Sequence, residues 1–222
     1  MEFLNDLRED LLQHRKNIEE KRRRQEEMSN KTIIIDAGHG GSDPGVVGHD
    51  GLQEKDFAFH CSLFLADMLK EEGYNVLLSR EDDVKVPFRE RVRMHLDKDP
   101  DLFVSVHANG VGDPSAHGAE VVYYGGENAH QPTFEKSQNI AQTIQNHMVQ
   151  KMEVQDRKIK TTEQLGRNLA VLDESNNNQL PAVLVEPFFI TNPDEAERFA
   201  ATDEGVKKVS EVLKDAIIDS LG

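Results

Sequence analysis

Cysteine is nearly absent from this chain of 222 residues, where Cys61 stands alone. A lone thiol forms no internal disulfide, so nothing demands an oxidising compartment, and Cys61 reads as a small buried residue on a helix. Long apolar runs are missing as well. None approaches the ~20 residues that a membrane span needs, so no integral membrane segment is expected. The opening stretch, MEFLNDLREDLLQHRK, alternates charge with leucine and lacks the basic start and apolar core of a signal peptide. Positive charge is in deficit: 26 Lys and Arg face 41 Asp and Glu, for a net charge of −15. The imbalance lies wholly beyond residue 31, because residues 1–31 hold eight side chains of each sign. So acidic a body does not attract nucleic acid or anionic lipid through general electrostatics. The basic run Lys21, Arg22, Arg23, Arg24 sits among Glu19, Glu20, Glu26 and Glu27 and reads as a solvated helix face.

What is present suffices for one core and an appendage. Hydrophobic residues make up 37% of the chain, too little for two full domains. Residues 2–28 contain neither Gly nor Pro and read as a single charged helix, so that 1–30 form an N-terminal helix and 31–222 the main domain. Leu4, Leu7, Leu11 and Ile18 occupy heptad a and d positions, but the register decays at Lys21, Gln25 and Met28. This weak seam predicts packing against the main domain, with self-association or docking on a protein partner left open.

From residue 32 strands and helices alternate. Strands are expected at 32–36, 74–79, 102–107, 119–124, 169–172 and 181–186. Helices are expected at 55–72, after Pro87, and at 134–151, 193–200 and 203–220; residues 153–168 are a polar stretch before the strand at 169–172. Phe57, Cys61, Phe64, Leu65 and Met68 have the spacing of one buried helical face. The pattern predicts an α/β fold: a single domain with a mixed, largely parallel sheet flanked by helices on both faces, plus the N-terminal helix.

Three strands run into a side chain able to bind a metal or move a proton. IIIDAGHGG leads to His39, LFVSVH ends on His107, and AVLVE ends on Glu186. A glycine-rich loop adds Glu54, in GLQEKD at the start of a helix. Open α/β sheets build their sites at the carboxyl ends of strands. A carboxylate at the end of an apolar strand is costly unless it is paired or bound to a metal. Two imidazoles and a carboxylate are the usual ligands of catalytic zinc, and a second carboxylate would serve as general base. Spacing alone leaves open which glutamate does which.

Together these segments resemble the zinc-dependent N-acetylmuramoyl-L-alanine amidases of the Amidase 3 type, over residues 31–221. IIIDAGHGGSDPG resembles the family's DxGHGGxDxG strand and loop; GLQEKDFAF, FVSVHAN and PAVLVEPFFITNPDEAE resemble its later motifs. Lesser matches are Ser79-Arg80, Glu90-Arg91-Val92 and Ala170-Val171-Leu172. The resemblance implies one Zn2+ held by His39, Glu54 and His107, with Glu186 as the catalytic glutamate. The implied reaction is hydrolysis of the amide between the lactyl group of N-acetylmuramic acid and L-Ala, with peptidoglycan as the partner. The family usually has a small residue or Gly two places after the catalytic glutamate, where this chain has Phe188, preceded by Pro187; the stiffened turn predicts a reshaped cleft rim. The connection 124–134 is short for an inserted autoinhibitory helix, so the cleft is expected to be open. Asp36 and Asn109, which flank the ligands, are expected to fix imidazole tautomers, to hold substrate, or only to cap turns. The other histidines are expected on the surface or behind the site.

The wall lies outside the cytoplasm, yet the opening stretch is not expected to act as an export signal. An endolysin that accumulates in the cytoplasm, or a chain without its signal, fits this. The alternatives are a zinc peptidase or carboxypeptidase acting on wall peptides, and a non-catalytic wall-binding protein.

Overall fold

The computed structural model describes the backbone of residues 2–48 and 50–221, and the side chains of all of these except 2–11, 21, 24 and 25. A first helix, α1 (Glu2–Ser29), precedes the sheet. Of its described side chains only Met28 is buried, while Leu12 and Ile18 are exposed. Met28 joins the larger core of the domain. The other heptad positions Leu4, Leu7 and Leu11 lie outside the described side chains. The joint is tied by Lys31 Nζ donating to Leu221 O (3.1 Å) and Asn75 Nδ2 donating to Ser29 O (2.8 Å).

Six strands form one sheet: β1 (Thr32–Ala37), β2 (Asn75–Leu78), β3 (Leu102–Val106), β4 (Ala119–Tyr123), β5 (Asp156–Thr161) and β6 (Ala182–Glu186). Their order is β2-β1-β3-β6-β4-β5. The first four in this order run parallel, β4 is antiparallel to β6, and β5 is parallel to β4. Ile33, Ile34 and Ile35 are all fully buried, because helices cover both faces. Ile33, Ile35, Val104 and Val185 point into the larger core, beneath α2 (Glu54–Glu71), α4 (Gln131–Met152) and α8 (Asp203–Leu221). Ile34, Phe103 and Leu184 face the smaller core, with Val92 of α3 (Glu90–Arg93) and Val171 and Leu172 of α6 (Ala170–Asn177). Consecutive side chains of a strand point to opposite faces, so strands in a two-sided core read as unbroken apolar runs. Cys61 is buried on α2 as expected, and burial pushes its thiol up to about 12.

Two segments differ from the sequence-based expectation. The predicted strand at 169–172 is the first part of α6. Its buried Val171, Leu172 and Ser175 follow helical spacing, and Glu174 is buried against Arg89 (2.8 Å) and Arg93 (2.7 Å). The polar stretch 153–168, to which the pattern assigned no element, contains β5 and the short helix α5 (Thr162–Leu165). β5 is an edge strand whose Arg157, Lys158 and Lys160 disguise it, and charged residues are common on edges because they discourage further pairing.

Because β1 is flanked by β2 on one side and β3 on the other, the chain reverses direction across the sheet there. A crevice opens at the carboxyl ends of β1 and β3. Below it lies a buried polar knot. Asp36 accepts hydrogen bonds from Ser79 Oγ (2.5 Å), Ser105 Oγ (2.6 Å) and Arg91 Nη1 (2.9 Å). Burial alone would raise the Asp36 pKa, but the Arg91 guanidinium and the two hydroxyls override it and hold the carboxyl below its usual range. Asp36→Asn leaves Arg91 buried without its counter-charge and should cost about 3–5 kcal/mol in denaturant unfolding at neutral pH. A depressed folded-state pKa stabilises above the unfolded value and loses its effect as pH falls through the folded one. The gap between wild type and variant should therefore narrow on acidification below about pH 4. A constant gap down to pH 2 would show that the ion pair is not its source.

Candidate active site

β1 hands its chain to Gly38 and then His39, whose φ of 58° lies in the left-handed region. Non-glycine residues adopt this conformation at a cost, and they need the surroundings to hold them. Here Arg91 does so: its Nη1 donates to Ala37 O (2.6 Å) and its Nη2 to His39 O (2.5 Å). Arg80 adds Nη2 to Gly38 O (3.1 Å). Gly38 is required for another reason, since a Cβ there would sit 2.6 Å from the His107 ring. Gly45 (φ +66°) is similar: a Cβ would lie 2.6 Å from Glu54 Oε2 and 2.7 Å from His39 Cδ2. The glycines of the first motif thus let backbone close directly on the imidazoles.

His107, just past β3, and Glu54, the first residue of α2, complete a cluster with His39. One nitrogen or oxygen from each lies within 4.8 Å of the others. Glu54 Oε1 is 3.0 Å from His39 Nε2 and 2.7 Å from His107 Nδ1. Val46 N donates to Glu54 Oε2 (2.9 Å) and Ala108 N to Oε1 (3.3 Å). Burial would raise Glu54, but the two imidazoles hold its carboxyl far below the ordinary range. Burial would likewise lower His39, yet Glu54 and Asp43 reverse this and raise it. His39 Nδ1 meets Asp43 Oδ1 at 3.1 Å, which leaves Nε2 free to point into the cluster. An outer carboxylate of this kind fixes the tautomer of a metal-binding histidine.

Among the described residues Asp36 has no hydrogen bond with either imidazole; its carboxylate is taken up by the knot beneath them. Asn109 closes a local turn with Gly110 N (2.9 Å) and pairs through its backbone with Phe188 and Ile190. Asp43 was not foreseen, although its place four residues after His39 was a usable signal.

Glu186 ends β6 and stands apart from the triad. Its Oε2 is buried and has no hydrogen-bond partner. Burial, then the negative charges of Glu54 and Glu120, push its carboxyl well above the ordinary range, against a smaller pull from Arg167. Glu120 is its cross-strand neighbour but is itself neutralised by Arg157 (3.0 Å) and Lys160 (2.6 Å). Pro187 and Phe188 are buried. The Phe188 ring packs on Phe57, with centroids 4.7 Å apart. Neither lines the cleft, so the departure from the family pattern fills the core behind Glu186 rather than reshaping the rim. Residues 124–130 join β4 to α4 without a helix.

The cleft has two arms that share His39, His107, Leu169 and Leu184. The apolar arm, about 260 Å³, is walled by Phe88, Ala170 and Val171 and floored by Asp36 and Arg91. The polar arm, about 210 Å³, holds Glu54, Glu120, Glu186 and Arg167. The remaining described histidines lie outside the cluster. His95 bonds to Leu78 O, His117 to Ser115 O, His130 to Thr133, and His147 to Asp219. His49 lies outside the described residues.

A family profile described as N-acetylmuramoyl-L-alanine amidase matches residues 33–219. The uncharacterized protein YqiI of Bacillus subtilis is 37% identical over 199 residues, spanning 88% of this chain and 85% of that protein. The N-acetylmuramoyl-L-alanine amidase AmiA of Salmonella typhimurium is 29% identical over 220 residues, spanning 86% of this chain and 76% of its own. Among solved structures, the N-acetylmuramoyl-L-alanine amidase AmiC2 of Nostoc punctiforme superposes with a TM-score of 0.72 at 28% identity, covering 86% of this chain and 96% of its own.

Proposed function

This chain belongs to the Amidase 3 family of N-acetylmuramoyl-L-alanine amidases, and on that premise we propose that its cleft cuts peptidoglycan at the amide between the lactyl group of N-acetylmuramic acid and L-Ala. The observation that carries the reading is the division of labour between two carboxylates. Glu54 is locked onto two imidazoles, while Glu186, lining the same cavity, has a buried oxygen without a partner.

Two imidazoles and a carboxylate on one small locus match the donor chemistry of zinc with an open position, so His39, Glu54 and His107 would hold one Zn2+. When bound, zinc supplies a Lewis acid that polarises the scissile carbonyl and makes water reactive near neutral pH. The chain's own residues do the rest. Asp43 keeps His39 in the tautomer that presents Nε2, and Arg91 and Arg80 hold the loop carrying it. Glu186 takes a proton from the attacking water and returns it to the L-Ala nitrogen as the C–N bond breaks. The products are a lactyl carboxylate on the sugar and a free peptide amine. A raised carboxyl pKa suits a group that must both accept and give up that proton.

No helix among the described residues is long and apolar enough to cross a membrane. Digestion of purified peptidoglycan, with products read by mass spectrometry, tests the reading. Intact stem peptides with a new L-Ala amine are expected. Release of a terminal D-amino acid alone would move the activity to a carboxypeptidase, and binding without cleavage would leave a wall-binding protein.

A further inference from the structure

The two arms of the cleft are unequal in a way that orients the substrate. Glu186 lines the polar arm and is absent from the lining of the apolar one. Because Glu186 must reach the leaving nitrogen, the peptide side of the cut lies over the polar arm. The lactyl group and its sugar then face the apolar arm and Phe88. This orientation rests on the proposed amidase reading.

The polar arm is hostile to an acidic peptide, since Glu54, Glu120 and Glu186 all line it. Glu54 is taken up by its imidazoles, and Glu120 by Arg157 and Lys160. Arg167 is the cation in that lining, and it is exposed. Among the described residues its side chain has no hydrogen bond or ion pair. Every other arginine of the main domain is engaged. Arg80, Arg91 and Arg198 hold backbone carbonyls, Arg89 and Arg93 hold Glu174, and Arg157 holds Glu120.

The backbone beneath Arg167 is nonetheless well fixed. Thr161 and Gln164 form a capping box on α5, Gly166 ends that helix in the left-handed conformation, and Arg167 N donates to Thr162 O (3.1 Å). Leu165 and Leu169, on either side, pack against the smaller core. An anchored backbone that carries an unpaired guanidinium over a substrate channel is suited to ligand recognition. A guanidinium matches a carboxylate in a planar, two-point contact.

We propose that Arg167 binds a free carboxylate on the stem peptide, close to the cut on the leaving-amine side, and so selects acidic stems over amidated ones. Stems whose carboxyl nearest the cut is free, or is blocked as a carboxamide, differ in that one group. That group is the candidate contact.

The test uses two muropeptides that differ only in this group, with the full-length enzyme. Wild type should favour the free carboxylate by about tenfold or more in kcat/KM, as a charged hydrogen bond implies. Arg167→Gln should bring the two rates within about twofold of each other, and Arg167→Lys should restore part of the preference. A wild type without preference, or an Arg167→Gln variant that slows both substrates in proportion, overturns the assignment. The second result would mean that Arg167 only tunes the charge around Glu186. If neither substrate is cut, the amidase reading fails. Calorimetry of wild type with the two free stem peptides then still decides, since equal affinities overturn the role of Arg167.

Discussion

Replacing Glu186 by Gln should lower kcat on peptidoglycan by about 10²–10⁴-fold, the range expected when a general acid–base group is lost. The change keeps shape and removes only the ability to carry a proton. It should not disturb the triad, because none of the contacts that hold Glu54, His39 and His107 involves Glu186. Metal content should therefore remain that of wild type. Stability should hold or rise, since a buried carboxylate oxygen without a partner is a burden on the fold. Steady-state rates, elemental analysis and a thermal melt of the same preparation separate the outcomes. Surviving activity would place the base elsewhere, and loss of metal would make Glu186 a ligand.

Glu54→Gln should give the complementary result, losing metal and activity together. Glu54 is the anion on which both imidazoles converge, so the variant removes a ligand and the charge that holds the other two. Chelation of wild type should match it, with activity falling by more than about 10³-fold and returning on addition of Zn2+. The metal should also stabilise the fold. At a concentration ~1,000 times its Kd a ligand adds about 4 kcal/mol, so removal should lower Tm by roughly 10 °C in a domain of this size. The Glu54→Gln melt should not respond to added zinc. A chelated wild type that retains full rate would rule out zinc as the working cofactor.

These two variants also bear on a choice that spacing could not make. Read along the chain, Glu54 and Glu186 were equivalent carboxylates. In the fold, Glu54 sits 2.7 Å from His107 Nδ1, a residue 53 positions away, while Glu186 Oε2 has no hydrogen-bond partner among the described residues. The difference arises from which strand ends the sheet brings together.

Local patterns alone determined a good deal. The unbroken runs Ile33-Ile34-Ile35, Phe103-Val104-Ser105-Val106 and Val183-Leu184-Val185 demand burial on both faces, and this already implied a largely parallel sheet between helices. The same runs put His39, His107 and Glu186 at or just beyond strand ends, where α/β sheets carry their chemistry. The tertiary structure decided what depends on partners distant in sequence. β5 is a strand because β4 pairs with it despite its lysines, and Glu174 is buried on α6 because Arg89 and Arg93 take up its charge. Asp43 on His39, Arg91 beneath the strained loop and Arg167 unpaired in the polar arm belong to the same class. Hydrophobic periodicity is a local property and can be read along the chain, whereas a charge is paired or left free only when the sheet register brings distant residues together.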